Sequence, residues 1–177
     1  LGSGRPFVLE LRMPRKRELN LRQIENEINE VNKGRVGVSN FKFVDRKRVA
    51  ELKNTVCDKT YRVDVSIGDR ISIESLKKAS QRLTGTVIEQ RTPTRVSHRR
   101  ADLIRPRLIN EVEVTSLQED MAELVIKAQH GTYIRELVSG DEGRTVPSLS
   151  SLVNSVCKVE VLDVLHLHLD AKEEKNV

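Results

Sequence analysis

A chain of 177 residues, 37% of them hydrophobic and only two of them cysteine, has enough interior to fold without disulfides or metals. It contains no run of about 18 apolar residues and no charged-then-apolar leader at its start, so neither a spanning helix nor a secretory signal is expected. Its net charge of +5 hides an asymmetry: residues 1–107 hold 25 Lys and Arg against 13 Asp and Glu (net +12), and the remainder holds 6 against 13 (net −7).

A basic half of this size points to an anionic partner, and nucleic acid is the commonest one for an intracellular chain. Aromatic residues make up only 3% of the chain, with no Trp, which disfavours a binder that stacks several bases on an aromatic sheet. Cys57 and Cys157 stand outside any C-x-x-C spacing and are expected as reduced, buried thiols. A soluble, cytoplasmic protein without a metal is the expectation, a monomer is favoured, and a piece of a longer protein is compatible with the length.

In chain order, PFVLELRM (6–13) alternates in part and predicts a strand. Asn20 then caps a helix over LRQIENEINEVN, where Leu21, Ile24, Ile28 and Val31 recur at helical steps and Gly34 stops the pattern. VGVSNFKFV (36–44) predicts a second strand, and Asp45 caps a short helix through Leu52. KTYRVDVSI (59–67) alternates with Tyr61, Val63, Val65 and Ile67 on one face. A helix follows from Ser72 or Ile73 through Leu83, then a short strand over TVIEQ (86–90).

RLINEVEVTSLQ and MAELVIKAQ predict a hairpin turning near residues 118–120. SLSSLVN predicts a short helix after Pro147, and VCKVEVLDVLHLHLD (156–170) reads as the most regular strand. The tail AKEEKNV is expected to fray. Strands and helices alternate irregularly, which predicts an α+β domain with a mixed or antiparallel sheet flanked by helices.

The segment QRTPTRVSHRRADLIRPR (90–107) carries seven Arg or His residues against one acid, Asp102. A loop of that length inside a compact domain is usually functional or disordered. Arg91, Arg95, Arg99, Arg100, Arg105 and Arg107 offer forked donors suited to phosphate oxygens, and a protonated His98 adds another.

HGTYIRELVSGDEGRT (130–145) predicts a short helix with Thr132 as N-cap and Gly140 as its stop. Its apolar stripe is Tyr133, Ile134, Leu137 and Val138, and the wheel turns Arg135 and Glu136 away from that stripe, toward solvent or a polar cleft. SGDEGRT reads as a structural turn, because Asp141 and Glu142 would repel phosphate. His166 and His168 share a strand face without a visible third metal ligand, and no P-loop, dinucleotide fingerprint, zinc-protease motif or serine elbow is present.

Taken with LGSGRPFVLEL and VEVLDVLHLHLD, the segments KTYRVDVSI, QRTPTRVSHRRADLIRPR and HGTYIRELVSGDEGRTVPSLSSLV resemble the catalytic domain of the archaeal and eukaryotic tRNA pseudouridine synthases that act on uridines 54 and 55. The resemblance covers essentially the whole chain, residues 1–177, as a single catalytic domain. It implies isomerisation of uridine to pseudouridine in tRNA without a metal or organic cofactor, on a pseudouridine-synthase-like fold.

By resemblance, Tyr61 stacks on the target uracil and is a candidate to remove a proton. Tyr133 contacts substrate, and Arg135 pairs with the catalytic aspartate and keeps it ionised. Leu162 lines the base pocket, and residues 90–107 act as a thumb-like loop gripping tRNA. The family's nucleophilic aspartate lies in a stretch immediately before the one that reads LGSGRPF here, so it is expected upstream of Leu1, and no Asp of this chain matches its motif. The chain by itself is therefore expected to bind tRNA without converting it, and the rival expectation is a non-catalytic RNA-binding module.

Overall fold

The computed structural model describes residues 4–169, and its described residues form two compact units, 4–56 and 57–169. Leu1, ahead of which the resemblance sets the nucleophilic aspartate, lies outside the described residues, so the structure does not test that expectation. The predicted frayed tail also lies outside them.

In the first unit, α1 (Leu21–Val31) is capped by Asn20, whose side chain accepts the Gln23 N–H at 3.1 Å. Asp45 caps α2 (Arg46–Asn54) by accepting from Lys47 and Arg48. The two predicted strands of this unit do not form. Residues 6–13 and 36–44 make no ladder. In the second of them, side chains of α1 take up backbone groups that a neighbouring strand would have paired. The Asn29 amide brackets Val38, donating to its carbonyl at 2.9 Å and accepting its N–H at 2.8 Å, and Glu25 accepts the Phe41 N–H at 3.1 Å. Phe7 and Phe41 meet edge to face at 6.0 Å.

The second unit is built on β1 (Asp58–Ile67), α3 (Ile73–Leu83), β2 (Thr86–Arg91), β3 (Ile104–Gln118), β4 (Met121–Ala128), α4 (Ile134–Ser139), β5 (Thr145–Val146), α5 (Leu149–Val153) and β6 (Cys157–His168). The strands form one sheet in the order β5-β2-β3-β4-β1-β6, and every pairing is antiparallel. The fold is therefore α+β, with the antiparallel form of the two predicted sheets.

Period-two alternation gives each strand an apolar face. Val63, Val65 and Ile67 of β1, Ile88 of β2, Ile109 of β3 and Leu124 and Ile126 of β4 join Leu76 and Leu83 of α3, Leu137 and Val138 of α4 and Leu149 of α5 in one core. Both cysteines are buried and free.

Strand β6 is less regular than its sequence. Two register shifts against β1, between Thr60 and Tyr61 and between Asp64 and Val65, make Leu165 and Glu160 the extra residues of the pairing. Each extra residue reverses the inside–outside phase. Val159 lies inside opposite Val65, and past the bulge Leu162, opposite Val63, takes the inner position while Val161 is exposed. This bulge turns Leu162 toward the core.

Candidate active site

The turn that precedes α4 is held from β2. Gln90 occupies a core-facing position of its strand and is 2% exposed. Its Oε1 accepts the Tyr133 N–H at 2.7 Å and its Nε2 donates to the Tyr133 carbonyl at 3.0 Å. This two-point clamp fixes the backbone of the G-T-Y turn. Tyr133, and not Thr132, is the N-cap residue of α4; the Thr132 hydroxyl donates back to the Gln129 carbonyl at 2.7 Å.

The wheel's assignment for Glu136 is also corrected. Its side chain is buried at 6% exposure, and Oε1 receives the Arg95 Nε at 2.6 Å. The same guanidinium lies 5.7 Å from the centre of the Tyr133 ring. Hydrogen bonding to Glu136 raises Arg95 above its ordinary pKa.

Arg135 is exposed. Its Nη1 donates to the Val159 carbonyl of β6 at 3.2 Å, and among the described residues it has no carboxylate within ion-pair distance. Val159 lies opposite Val65, Leu162 opposite Val63, and half-buried Tyr61 opposite Val164. Helix α4 thus brings Arg135 to the strand pair that carries Tyr61 and Leu162 on its core face. Tyr133 stands at the other end of this short span, under Arg95.

The predicted loop 90–107 is shorter than its sequence suggested, because β2 continues to Arg91 and β3 begins at Ile104. Between them, residues 94–99 make a 3-10 helix. Asp102 receives Arg91 through Nε and Nη2 and Arg144 through Nη2 at 2.7 Å. The Arg91 bond, with Arg144 beside it, holds this carboxyl below its usual range.

Arg144 also donates twice to the Thr92 carbonyl, and Asp141 accepts the Thr94 N–H at 2.9 Å. GDEGRT is therefore a structural turn that anchors the base of the basic loop. Among the described residues, the side chains of exposed His98, Arg99 and Arg100 make no hydrogen bond or ion pair, whereas those of Arg91 and Arg95 are committed internally. Arg105 donates to Thr92 Oγ1 at 3.1 Å, and Arg107 to the Pro106 carbonyl at 2.8 Å.

Gly140 ends α4 at φ +84, where an added Cβ would lie 2.8 Å from Ser148 Oγ. That hydroxyl is fixed as the cap of α5 by the Ser151 N–H at 3.2 Å. Gly140→Ala is expected to cost about 2–4 kcal/mol from left-handed backbone strain and overpacking, read as a lower urea midpoint at unchanged slope.

Gln90 and Glu136 were not among the site residues expected from sequence. A glutamine on the inward phase of T-V-I-E-Q was a signal for Gln90. Nothing local marks Glu136, because its partner lies 41 residues away. Among the described residues, no group of three or more His, Cys, Asp or Glu is placed to hold a metal ion, and no helix is long and apolar enough to cross a membrane.

A family model described as "Pus10, C-terminal" matches residues 1–168. Proteins named tRNA pseudouridine synthase Pus10 are similar to this chain: that of Methanothrix thermoacetophila is 46% identical over 93% of the chain and 36% of its own length. The Methanocaldococcus jannaschii protein is 46% identical over 95% and 37%, and the Pyrococcus furiosus protein 40% identical over 99% and 45%. The chain thus spans less than half the length of these relatives.

Among solved structures, a chain of a Cbf5-Nop10-Gar1 complex aligns with TM-score 0.57 and 16% identity over 71% of this chain and 36% of that one. A chain of an H/ACA RNP bound to a substrate RNA containing 2'-deoxyuridine aligns with TM-score 0.51 and 10% identity over 86% and 45%. At these identities the likeness establishes the fold.

Proposed function

The chain belongs to the Pus10 C-terminal family, and from that premise we propose that it is the base-holding part of the catalytic domain of a tRNA pseudouridine synthase. In the reaction the N1–C1′ bond of a uridine breaks and a C5–C1′ bond forms; C5 gives up a proton and N1 gains one. The base must leave its stack, so the site needs an aromatic face, an apolar floor and cations for the backbone.

The observation that carries the reading is that one strand pair, β1–β6, holds Tyr61 and Leu162 on its core face and receives the Arg135 hydrogen bond at the Val159 carbonyl. Tyr61 provides the face for the uracil and Leu162 the floor. Arg135, exposed and with no carboxylate within ion-pair distance among the described residues, is the cation for the nucleophilic aspartate, which is expected ahead of Leu1. Tyr133, clamped by Gln90, contacts the nucleotide.

His98, Arg99 and Arg100 grip tRNA phosphates, with Arg105 and Arg107 at the root of the loop. Arg91 and Arg95, although suited to phosphate by chemistry, act here as braces of the loop. Uridines 54 and 55 of the TΨC arm are the proposed targets.

Two measurements test the proposal. The chain alone should bind tRNA with an affinity that falls steeply with salt, and Arg99→Ala with Arg100→Ala should lower the slope of log affinity against log salt by about two. The full-length protein should form pseudouridine in tRNA, detected by base-specific chemical mapping. Binding that is insensitive to salt, or a full-length protein that leaves tRNA unmodified, would overturn the assignment. Turnover-free binding alone would return the chain to a docking module.

A further inference from the structure

A second group of cations lies on the face that carries Tyr61, apart from the 3-10 segment of the basic loop. Lys59 is two residues from Tyr61 on β1, and its ladder partner Ala128 is fully buried. Arg107 lies opposite Ile88, which is also fully buried. Both cations therefore stand at the margin of the core-facing side of the sheet.

His130 follows the end of β4 by two residues, and its N–H donates to Asp58 Oδ1 at 3.3 Å. The adjoining Gly131 lies against the Arg107 guanidinium: a Cβ there would come within 3.4 Å of Nη2 and 3.5 Å of Nε. Arg107 Nε is buried without a hydrogen-bond partner, and the Lys59 side chain makes no hydrogen bond or ion pair among the described residues.

Three groups able to carry positive charge are thus neighbours: Lys59 and Arg107 both act on His130, with only Asp58 opposing them. A donor left unsatisfied and two like charges held together are costly unless an anion completes them.

We propose that Lys59, Arg107 and His130 form a phosphate subsite, which holds the phosphodiester flanking the nucleotide whose base lies on Tyr61. This rests on the pseudouridine synthase reading and adds the backbone contact that would keep the base extruded. It differs from the grip of His98, Arg99 and Arg100, whose phosphates belong to more distant parts of the tRNA.

The subsite leaves a proton signature. Burial first, then Lys59 and Arg107, hold His130 below its ordinary range, with Asp58 opposing them. These are the charged groups facing it, from β1 and β3. A bound phosphate opposes the fields of Lys59 and Arg107, so binding takes up a proton and tightens as the pH falls from about 8 to about 6. His130→Ala removes that share of the pH dependence, while contributions of the other histidines are common to both proteins.

The test uses the full-length protein and a tRNA stem-loop in which a linkage flanking the modified uridine is a neutral methylphosphonate. With the natural RNA, Lys59→Gln and Arg107→Lys are each expected to lower kcat/KM about tenfold or more. Lys59→Gln should also lower the salt slope by about one. With the methylphosphonate RNA the parent should lose a similar factor and the variants little further, because the same contact is already gone.

Parental turnover and salt slope in Lys59→Gln and an unchanged pH profile in His130→Ala would overturn the subsite. If Tyr61→Ala still abolished conversion in that case, the functional reading would stand without it. A parent protein that modifies no uridine and binds RNA independently of salt would overturn both.

Discussion

Replacing Tyr61 with Ala in the full-length protein is expected to lower pseudouridine formation by about 10³-fold or more, summing a lost stacking face and a lost proton acceptor. The physical basis is its position. Tyr61 ends the row Tyr61, Val63, Val65 and Ile67, of which the last three are buried and Tyr61 is half-buried against the core. A ring so placed is anchored on one side and accessible on the other, as a platform for a flipped base requires.

Tyr61→Phe separates the two roles. Activity within about threefold of the parent would mean stacking alone, whereas a loss of about 10²–10⁴-fold would assign proton transfer to the hydroxyl. Single-turnover rates on tRNA, with the fold checked by circular dichroism, provide the readout. Parental rates in Tyr61→Ala would remove this residue from the site and sink the functional assignment with it.

Removing the Arg95 side chain is expected to destabilise the second unit by about 2–3 kcal/mol, since it leaves the Glu136 carboxylate unpaired in a buried position. The figure is set below the full range for buried pairs because Arg95 itself is 52% exposed. Removing the stranded charge distinguishes this from lost packing, because a packing deficit would not respond to it.

Glu136→Gln in the Arg95→Ala background should recover part of the loss, because a neutral amide is cheaper to bury than an unpaired charge. Urea titrations of the single and double variants decide it. A deficit not relieved by Glu136→Gln would show that the ion pair contributes nothing beyond side-chain contact. The pair also joins the 3-10 segment to α4 beside Tyr133, so the Arg95→Ala loop should exchange its amide hydrogens faster even where the sheet does not.

The sequence by itself determined strands β1, β2, β3, β4 and β6, the helices, with Asn20 and Asp45 as caps of the first two, and the Gly140 stop. These depend on periodicity and on local backbone chemistry, both written in neighbouring residues. Resemblance to family motifs, a separate ground, proposed Tyr61, Tyr133, Arg135 and Leu162 for the site.

What only the tertiary structure decided depends on partners far apart in the chain. The alternating segments 6–13 and 36–44 have the pattern of strands, but a ladder needs a neighbour, and side chains of α1 took the backbone groups of the second segment instead. Strict alternation over 156–170 would turn Val161 inward, and the bulge against β1 turns Leu162 inward in its place. The helical wheel set Glu136 beside Arg135 as equals. Burial against Arg95, 41 residues away, made one a structural anion, while the other remained an exposed cation on the strand pair that carries Tyr61.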